Sequence, residues 1–237
     1  MLEKLQYLDQ QLLLAVNGLH SPFWDSFMWL VSDKLIWIPM YVSILYVLVR
    51  NFNIRMTIFM IVAIILTITF TDQICATVIR PLVERMRPSN INNPLSEFIR
   101  ILHGKRGGQY GFPSCHASNS FGLAFLTIMF LRQRWLTVFI LFWATLNSYS
   151  RIYLGVHYPG DIFAGMVVGA CSAMSFYLLF RKSLEIPRLC RFLHYAGTDR
   201  NLTEHPENIK HTYSIVCTGM ITVTGIAAYS AVCLWIA

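Results

Sequence analysis

Residues 55–79 read RMTIFMIVAIILTITFTDQICATVI, an apolar run interrupted after Arg55 by one charged residue, Asp72. A helix needs roughly 20 predominantly apolar residues to cross a bilayer, so this stretch is long enough to do so. Further apolar runs occupy 33–50, 117–132, 135–154, 161–181 and 213–236. The chain has 237 residues, 55% of them hydrophobic and 13% charged. A soluble domain carries about 25% charged residues, so the balance selects a bilayer as solvent. The expected fold is all-α: a single polytopic membrane bundle of about six transmembrane helices, with an N-terminal amphipathic helix.

That N-terminal helix follows from Leu2, Leu5, Leu8, Leu12, Leu13, Val16 and Leu19, which recur at helical spacing with Glu3, Lys4, Gln6, Asp9 and Gln10 between them. Such a pattern lies in the membrane interface, and residues 1–32 are read as an interfacial segment whose part 20–32 re-enters the bilayer. Residues 33–181 are expected to form the main bundle, and 182–237 a cytoplasmic connection and the last span. The N-terminus is too polar and acidic for a cleavable signal peptide. The six cysteines form no CxxC pair and lie largely within apolar runs, which argues against a disulfide framework or a zinc site. His194, His205 and His211 fit no ligand spacing, so no metal is expected.

The net charge of +7 falls mainly between spans. Arg50 and Arg55 flank one turn, Arg132 and Arg134 another, and Arg181, Lys182, Arg188, Arg191, Arg200 and Lys210 lie in the 181–211 connection. In a six-span topology these share one face, which the positive-inside rule makes cytoplasmic. The placement excludes nucleic acid as a partner and leaves loop 80–116 and turn 155–160 together on the outer face. Arg80, Arg85, Arg87, Arg100, Lys105 and Arg106 break the charge rule there, an exception that suggests an anion to bind.

Three segments on that face carry the chemistry. Arg80 and Arg87 stand seven residues apart, two helical turns if the second span continues, so both could turn to one side and grip an oxyanion. Ser114, in Pro113-Ser114-Cys115-His116, is placed as an N-cap, leaving free N–H groups at a positive helix end. His116 then lies in the first turn. In the third segment, Ser150-Arg151 ends one span while His157 and Asp161 open the next. Asp161 can accept a hydrogen bond from one imidazole nitrogen and leave the other as a nucleophile. Asp72, about 12 Å along a helix from Arg80, is read as pairing with interior Thr or Asn groups. Gly104, Gly107, Gly108 and Gly111 suggest a mobile lid.

In this order the segments resemble the type 2 phosphatidic acid phosphatase family of integral membrane lipid phosphatases. The family pattern Ser-Arg-x5-His-x3-Asp is met by Ser150, Arg151, His157 and Asp161. Arg87-Pro88 matches the first motif, with Arg80 where the family usually has Lys, and Pro113, Ser114 and His116 match the second, with Cys115 in place of Gly. The resemblance covers about residues 55–181. It implies His157 as nucleophile forming a phosphohistidine, Asp161 orienting it, and His116 as general acid. It further implies that Arg80, Arg87, Ser114, the Cys115 N–H and Arg151 hold the phosphate, with no cofactor. Arg80 keeps the charge of Lys, while Cys115 could crowd the substrate. The expected activity is a bacterial inner-membrane lipid phosphatase whose site faces the periplasm or exterior, acting on undecaprenyl diphosphate. Alternatives are a lipid A phosphatase, a phosphotransferase between these lipids, and a lipid transporter or scramblase.

Overall fold

The computed structural model describes residues 2–236. Among them it contains helices and no strand, in the order α1 (Leu2–Gly18), α2 (Pro22–Val31), α3 (Ile38–Asn51), α4 (Ile54–Gln73), α5 (Arg80–Val83), α6 (Cys115–Leu131), α7 (Arg134–Tyr153), α8 (Pro159–Ser183), α9 (Pro187–Leu193), α10 (Gly197–Glu204) and α11 (Tyr213–Ile236). A π-helical turn, Ile74–Ile79, joins α4 to α5, so that one bent rod runs from Ile54 to Val83.

The all-α membrane bundle stands, but the count of six spans is not carried by the helices. The Ile54–Val83 rod, α8 and α11 are long and apolar enough to cross a bilayer alone. Residues Pro22–Val31 and Leu35–Asn51 together form a pair bent by 70°, a broken span or re-entrant loop. Helix α6 has only 17 residues. Helix α7 turns Asn147, Ser148 and Ser150 to its buried side, which lowers its apolar content.

Helix α6 is the centre of the bundle, packed chiefly against α8 and also against α7 and α4. The α6–α8 contact depends on two glycines. A Cβ at Gly165 would lie 2.5 Å from the Ser114 carbonyl oxygen, and one at Gly169 would lie 2.4 Å from that of Ser118. No side chain fits at those distances, so the backbones meet directly, as small residues allow in membrane bundles. Aromatic and long aliphatic side chains fill the remaining core, among them Trp37, Trp143, Met40, Met56 and Met60. Outward-facing Val62, Ile65, Phe70, Phe163, Val167, Leu178 and Ile221 remain exposed, as a lipid-facing surface requires.

The N-terminal segment divides into two helices, each tied to the bundle by polar contacts. In α1, Leu13 is fully buried, and Asn17 donates to the carbonyls of Arg100 and Tyr153 while accepting the Arg100 N–H. Leu5, Leu8 and Leu12 stay exposed on its other side. In α2, the Asp25 carboxylate takes both guanidinium nitrogens of Arg100 and the Tyr153 hydroxyl. At the far end of α4, Asn51, Asn53 and Arg55 bond the 192–210 connection, and Gln133 reaches Pro206. The basic connections therefore gather at the end of the bundle opposite Arg80.

Candidate active site

The first motif folds differently from one extended helix. Pro81 lacks an amide donor, the π turn has already widened the rod, and the helix stops at Val83 with Glu84 in the left-handed region at φ 49°. Arg80 stays on the rod and donates to the Pro113 carbonyl. Arg87 returns from the following loop, where its N–H donates to Gln109 and Gly111 donates to the Arg85 carbonyl. That short antiparallel pairing ties Gln109 and Gly111 to the Arg85–Arg87 segment, while residues 103–109 stay exposed. A Cβ at Gly111 would lie 3.0 Å from Arg87 Cγ, 3.2 Å from Asp161 Oδ2 and 3.5 Å from His157 Nδ1. Glycine lets this strand of loop lie flat against both residues.

Ser114 caps α6 as its sequence position predicts: its hydroxyl accepts the Ala117 N–H, and it is fully buried. Its own N–H donates to the Asp161 carbonyl, joining the start of α6 to the start of α8. Cys115 opens α6. Its thiol turns back toward the Asp72 carbonyl, 3.9 Å away, on the α4 side. Asp72 itself accepts from Asn119, which in turn accepts from Thr71, the interior amide and hydroxyl pairing expected of it.

His157 lies in the turn between α7 and α8 and is 2% exposed. Its Nδ1 is 3.3 Å from Asp161 Oδ2, and its Nε2 is 2.7 Å from Arg87 Nη1. Burial, and then the nearby charges of Arg87, Arg151 and Arg80, hold its pKa well below the ordinary histidine range. The ring is therefore neutral, and its contact with Asp161 is a hydrogen bond rather than an ion pair. Arg87 is buried too, and burial followed by Arg80 brings its pKa down to about 10. Arg151, on α7, donates to the Ser32 hydroxyl at the end of α2.

The three guanidiniums are incompletely paired. Among the described residues, the Nε atoms of Arg80, Arg87 and Arg151 are all buried without a hydrogen-bond partner. Buried donors of this strength are rarely left unmatched, and here they flank one neutral imidazole. An anion held by them would face His157 Nε2. The site thus brings together Arg80, Arg87, Arg151, His157 and Asp161, with Ser114 and Cys115 at the adjoining helix start.

His116 borders two cavities. One of about 480 Å³ is lined by Ser32, Lys34, Lys105, Gly107, Arg151 and Val156. The other, about 380 Å³ and mainly apolar, runs between α3, α4, α6 and α7 past Tyr41, Leu48, Ile64 and Trp143. Lys34 and His116 line both.

Sequence reading placed Arg85 in the outer-face basic cluster without a role of its own, and did not bring Asp9, Ser32 or Lys34 to this region. Arg85 links Asp161 to Asp9 of α1, at 3.0 and 2.6 Å. Its place beside Arg87 in a loop of unusual charge was the available signal. Nothing local distinguishes Asp9 or Ser32, whose placement depends on how the N-terminal helices pack.

Residues 40–185 match the PAP2 superfamily. The chain is 48% identical over 232 residues to a lipid A 4'-phosphatase of Bacteroides thetaiotaomicron, covering 98% of this chain and 99% of that one. It is 33% identical over 168 residues to a lipid A 4'-phosphatase of Porphyromonas gingivalis, 71% of each chain. The crystal structure of Aquifex aeolicus LpxE shares the fold, with a TM-score of 0.53 at 20% identity over 71% of this chain and 93% of that one. Motif order, helical architecture and these matches agree that the chain belongs to the PAP2 superfamily and is a membrane phosphatase.

Proposed function

We propose that this protein removes the 4'-phosphate of lipid A through a phosphohistidine, at the outer face of the inner membrane. The observation that carries the chemistry is the set of three buried, unpaired guanidinium Nε–H groups around the neutral His157. In this reading Arg80, Arg87 and Arg151, with Ser114 and the Cys115 N–H, hold the phosphoryl oxygens and balance the charge that develops in transfer. His157 Nε2 attacks phosphorus while Asp161 keeps the ring proton on Nδ1. His116 gives a proton to the departing sugar oxygen and then takes one from the water that hydrolyses the phosphohistidine. These groups supply the charge stabilisation without a metal.

A lipid substrate is favoured by the meeting, at His116 and Lys34, of a cavity that carries Lys105 and Arg151 with a mainly apolar one. The headgroup enters the first while a chain lies in the second, within the bilayer. Lipid A is favoured over undecaprenyl diphosphate by the names of the two relatives, one of which is aligned along almost the whole chain. The relatives thus favour lipid A over the undecaprenyl diphosphate expected from the motifs. The outward orientation rests on the gathering of Arg50, Arg55, Arg132, Arg134 and the 181–211 connection at the opposite end.

The test is phosphate release by purified protein in detergent, with a chelator present, from lipid A, undecaprenyl diphosphate and phosphatidic acid. The reading expects inorganic phosphate from the 4' position of lipid A at the highest kcat/KM. Preferred turnover of undecaprenyl diphosphate would overturn the substrate, phosphate transferred to a second lipid would make the protein a phosphotransferase, and loss of activity with chelator would overturn the metal-free mechanism.

A further inference from the structure

The Asp161 carboxylate is fully buried, and both of its oxygens are engaged. Oδ2 accepts the Tyr158 N–H at 3.0 Å and faces His157 Nδ1, while Oδ1 accepts from Arg85 Nη1 at 3.0 Å. A carboxylate is planar, so fixing one oxygen fixes the direction of the other. Arg85 is held in turn. Its second amino group donates to Asp9 Oδ2 at 2.6 Å, and its guanidinium lies over the Tyr158 ring, 4.0 Å from the centroid. Asp9 Oδ1 accepts the Gly160 N–H at 2.7 Å, in the first turn of α8. A Cβ on Gly160 would lie 2.8 Å from Asp9 Oδ2, so a larger residue there would push this carboxylate aside. One carboxylate on α1 therefore binds both the start of α8 and the cation that sets Asp161.

We propose that Arg85 is a positioning residue for the His157–Asp161 pair and that Asp9 is its anchor, which makes the N-terminal helix a working part of the catalytic site. This rests on the reading of His157 as nucleophile. Both amino groups of Arg85 are directed at carboxylates, one at Asp9 and one at Asp161. It acts on the reaction through Asp161. With Arg85 in place the carboxylate stays aimed at Nδ1, so the imidazole keeps its Nε2 lone pair toward the substrate. Without Arg85, the buried carboxylate has only the Tyr158 amide, His157 and the more distant Arg87 to stabilise its charge. It then takes up a proton more readily and no longer accepts from Nδ1.

The test compares wild type with Arg85→Met, Arg85→Lys and Asp9→Asn, reading kcat, KM, the pH–rate profile and thermal unfolding. Arg85→Met is expected to lower kcat about 10- to 100-fold, the usual cost of losing a residue that orients a reacting group, with KM nearly unchanged. The acid limb of its rate profile moves to higher pH. Arg85→Lys restores most of kcat, because a single cation still meets Asp161, and Asp9→Asn gives a smaller loss with the same change in profile. Loss confined to KM would overturn the proposal, since Arg85 would then bind phosphate directly. It would also be overturned by Arg85→Met acting with wild-type kcat and profile, or by Arg85→Lys and Arg85→Met being equally impaired in proportion to their unfolding temperatures. A fully active His157→Ala would instead remove the underlying mechanism, which keeps the two failures separate.

Discussion

Arg87 Nη1 donates to His157 Nε2 across 2.7 Å, on the side of the ring opposite Asp161. A guanidinium can only donate, so Nε2 is the acceptor and the ring proton lies on Nδ1, toward the carboxylate. The tautomer required of a nucleophilic histidine is therefore set from both sides. In the proposed reaction a phosphate oxygen takes Nη1 away from the ring, which uncovers the lone pair as phosphorus arrives.

His157 should remain neutral well below pH 6.5, because its pKa is depressed by burial and by three arginines. Its titration will not reduce kcat/KM between pH 7.5 and 6.5. The same shift affects stability. Below the unfolded value of about 6.5, the unfolded chain binds a proton that the native ring refuses, so this histidine makes the fold less stable as pH falls toward its native pKa. Asp161→Asn, which cannot enforce the tautomer, should lower kcat by about 10⁴-fold, as removal of the orienting carboxylate does in hydrolytic triads. Steady-state kinetics across pH and acid unfolding of wild type and His157→Ala check both points.

Arg87→Lys should be far from conservative. The lysine ammonium is a point charge and cannot bond the Val156 carbonyl, the imidazole and a phosphate oxygen with one planar fork. A combined loss in kcat/KM of about 10²-fold is expected, near the upper end for charge-assisted hydrogen bonds. Arg87→Gln should lose more. The measurement is phosphate release at saturating and limiting lipid.

Gly169→Ala should destabilise the protein, although alanine ordinarily favours a helix. Its methyl would lie 2.4 Å from the Ser118 carbonyl oxygen, so α8 must move away from α6. A cost of about 1–3 kcal/mol follows from overpacking. Activity should fall with it, since the same two helices carry His116 and Asp161. Thermal unfolding in detergent, read beside kcat, checks the coupling.

Ile64→Trp should obstruct the apolar cavity from the α4 side. The expected outcome is a KM about tenfold higher for a long-chain lipid phosphate, the scale of a lost apolar contact in a binding pocket. A short-chain, water-soluble phosphate monoester should be turned over nearly as by wild type. Equal impairment of both substrates would place the chain elsewhere.

The seven motif side chains Arg80, Arg87, Ser114, His116, Arg151, His157 and Asp161 could be singled out in the sequence because they form three ordered polar motifs between apolar runs. Asp72 stood out as the one charge inside such a run after Arg55. The path of the chain between the motifs was not legible. Helical spacing suggested that Arg80 and Arg87 reach one side of a continuous helix, whereas Arg87 returns through a loop pinned by Gln109 and Gly111. Asp9 looked like one polar residue on an amphipathic face, and its partners Arg85 and Gly160 lie far away in sequence. Hydropathy located the long apolar segments. The 117–132 run was already shorter than a full span, as α6 proves to be, but hydropathy did not reveal that α2 and α3 meet at a 70° bend or that Asn147 and Ser148 face inward.

The 17 residues of α6 bear on how deep the reaction takes place. At 1.5 Å per residue the helix is about 26 Å long, less than the roughly 30 Å hydrocarbon layer. The end that bears Ser114, Cys115 and His116 therefore falls short of the headgroup plane unless the bilayer thins around it. In the proposed reaction a lipid phosphate would sink to reach His157, shedding water as it descends, and the arginine cluster would replace that hydration. Membrane thickness would thus set the turnover rate: the same enzyme in thinner bilayers should meet its substrate more readily than in thick ones.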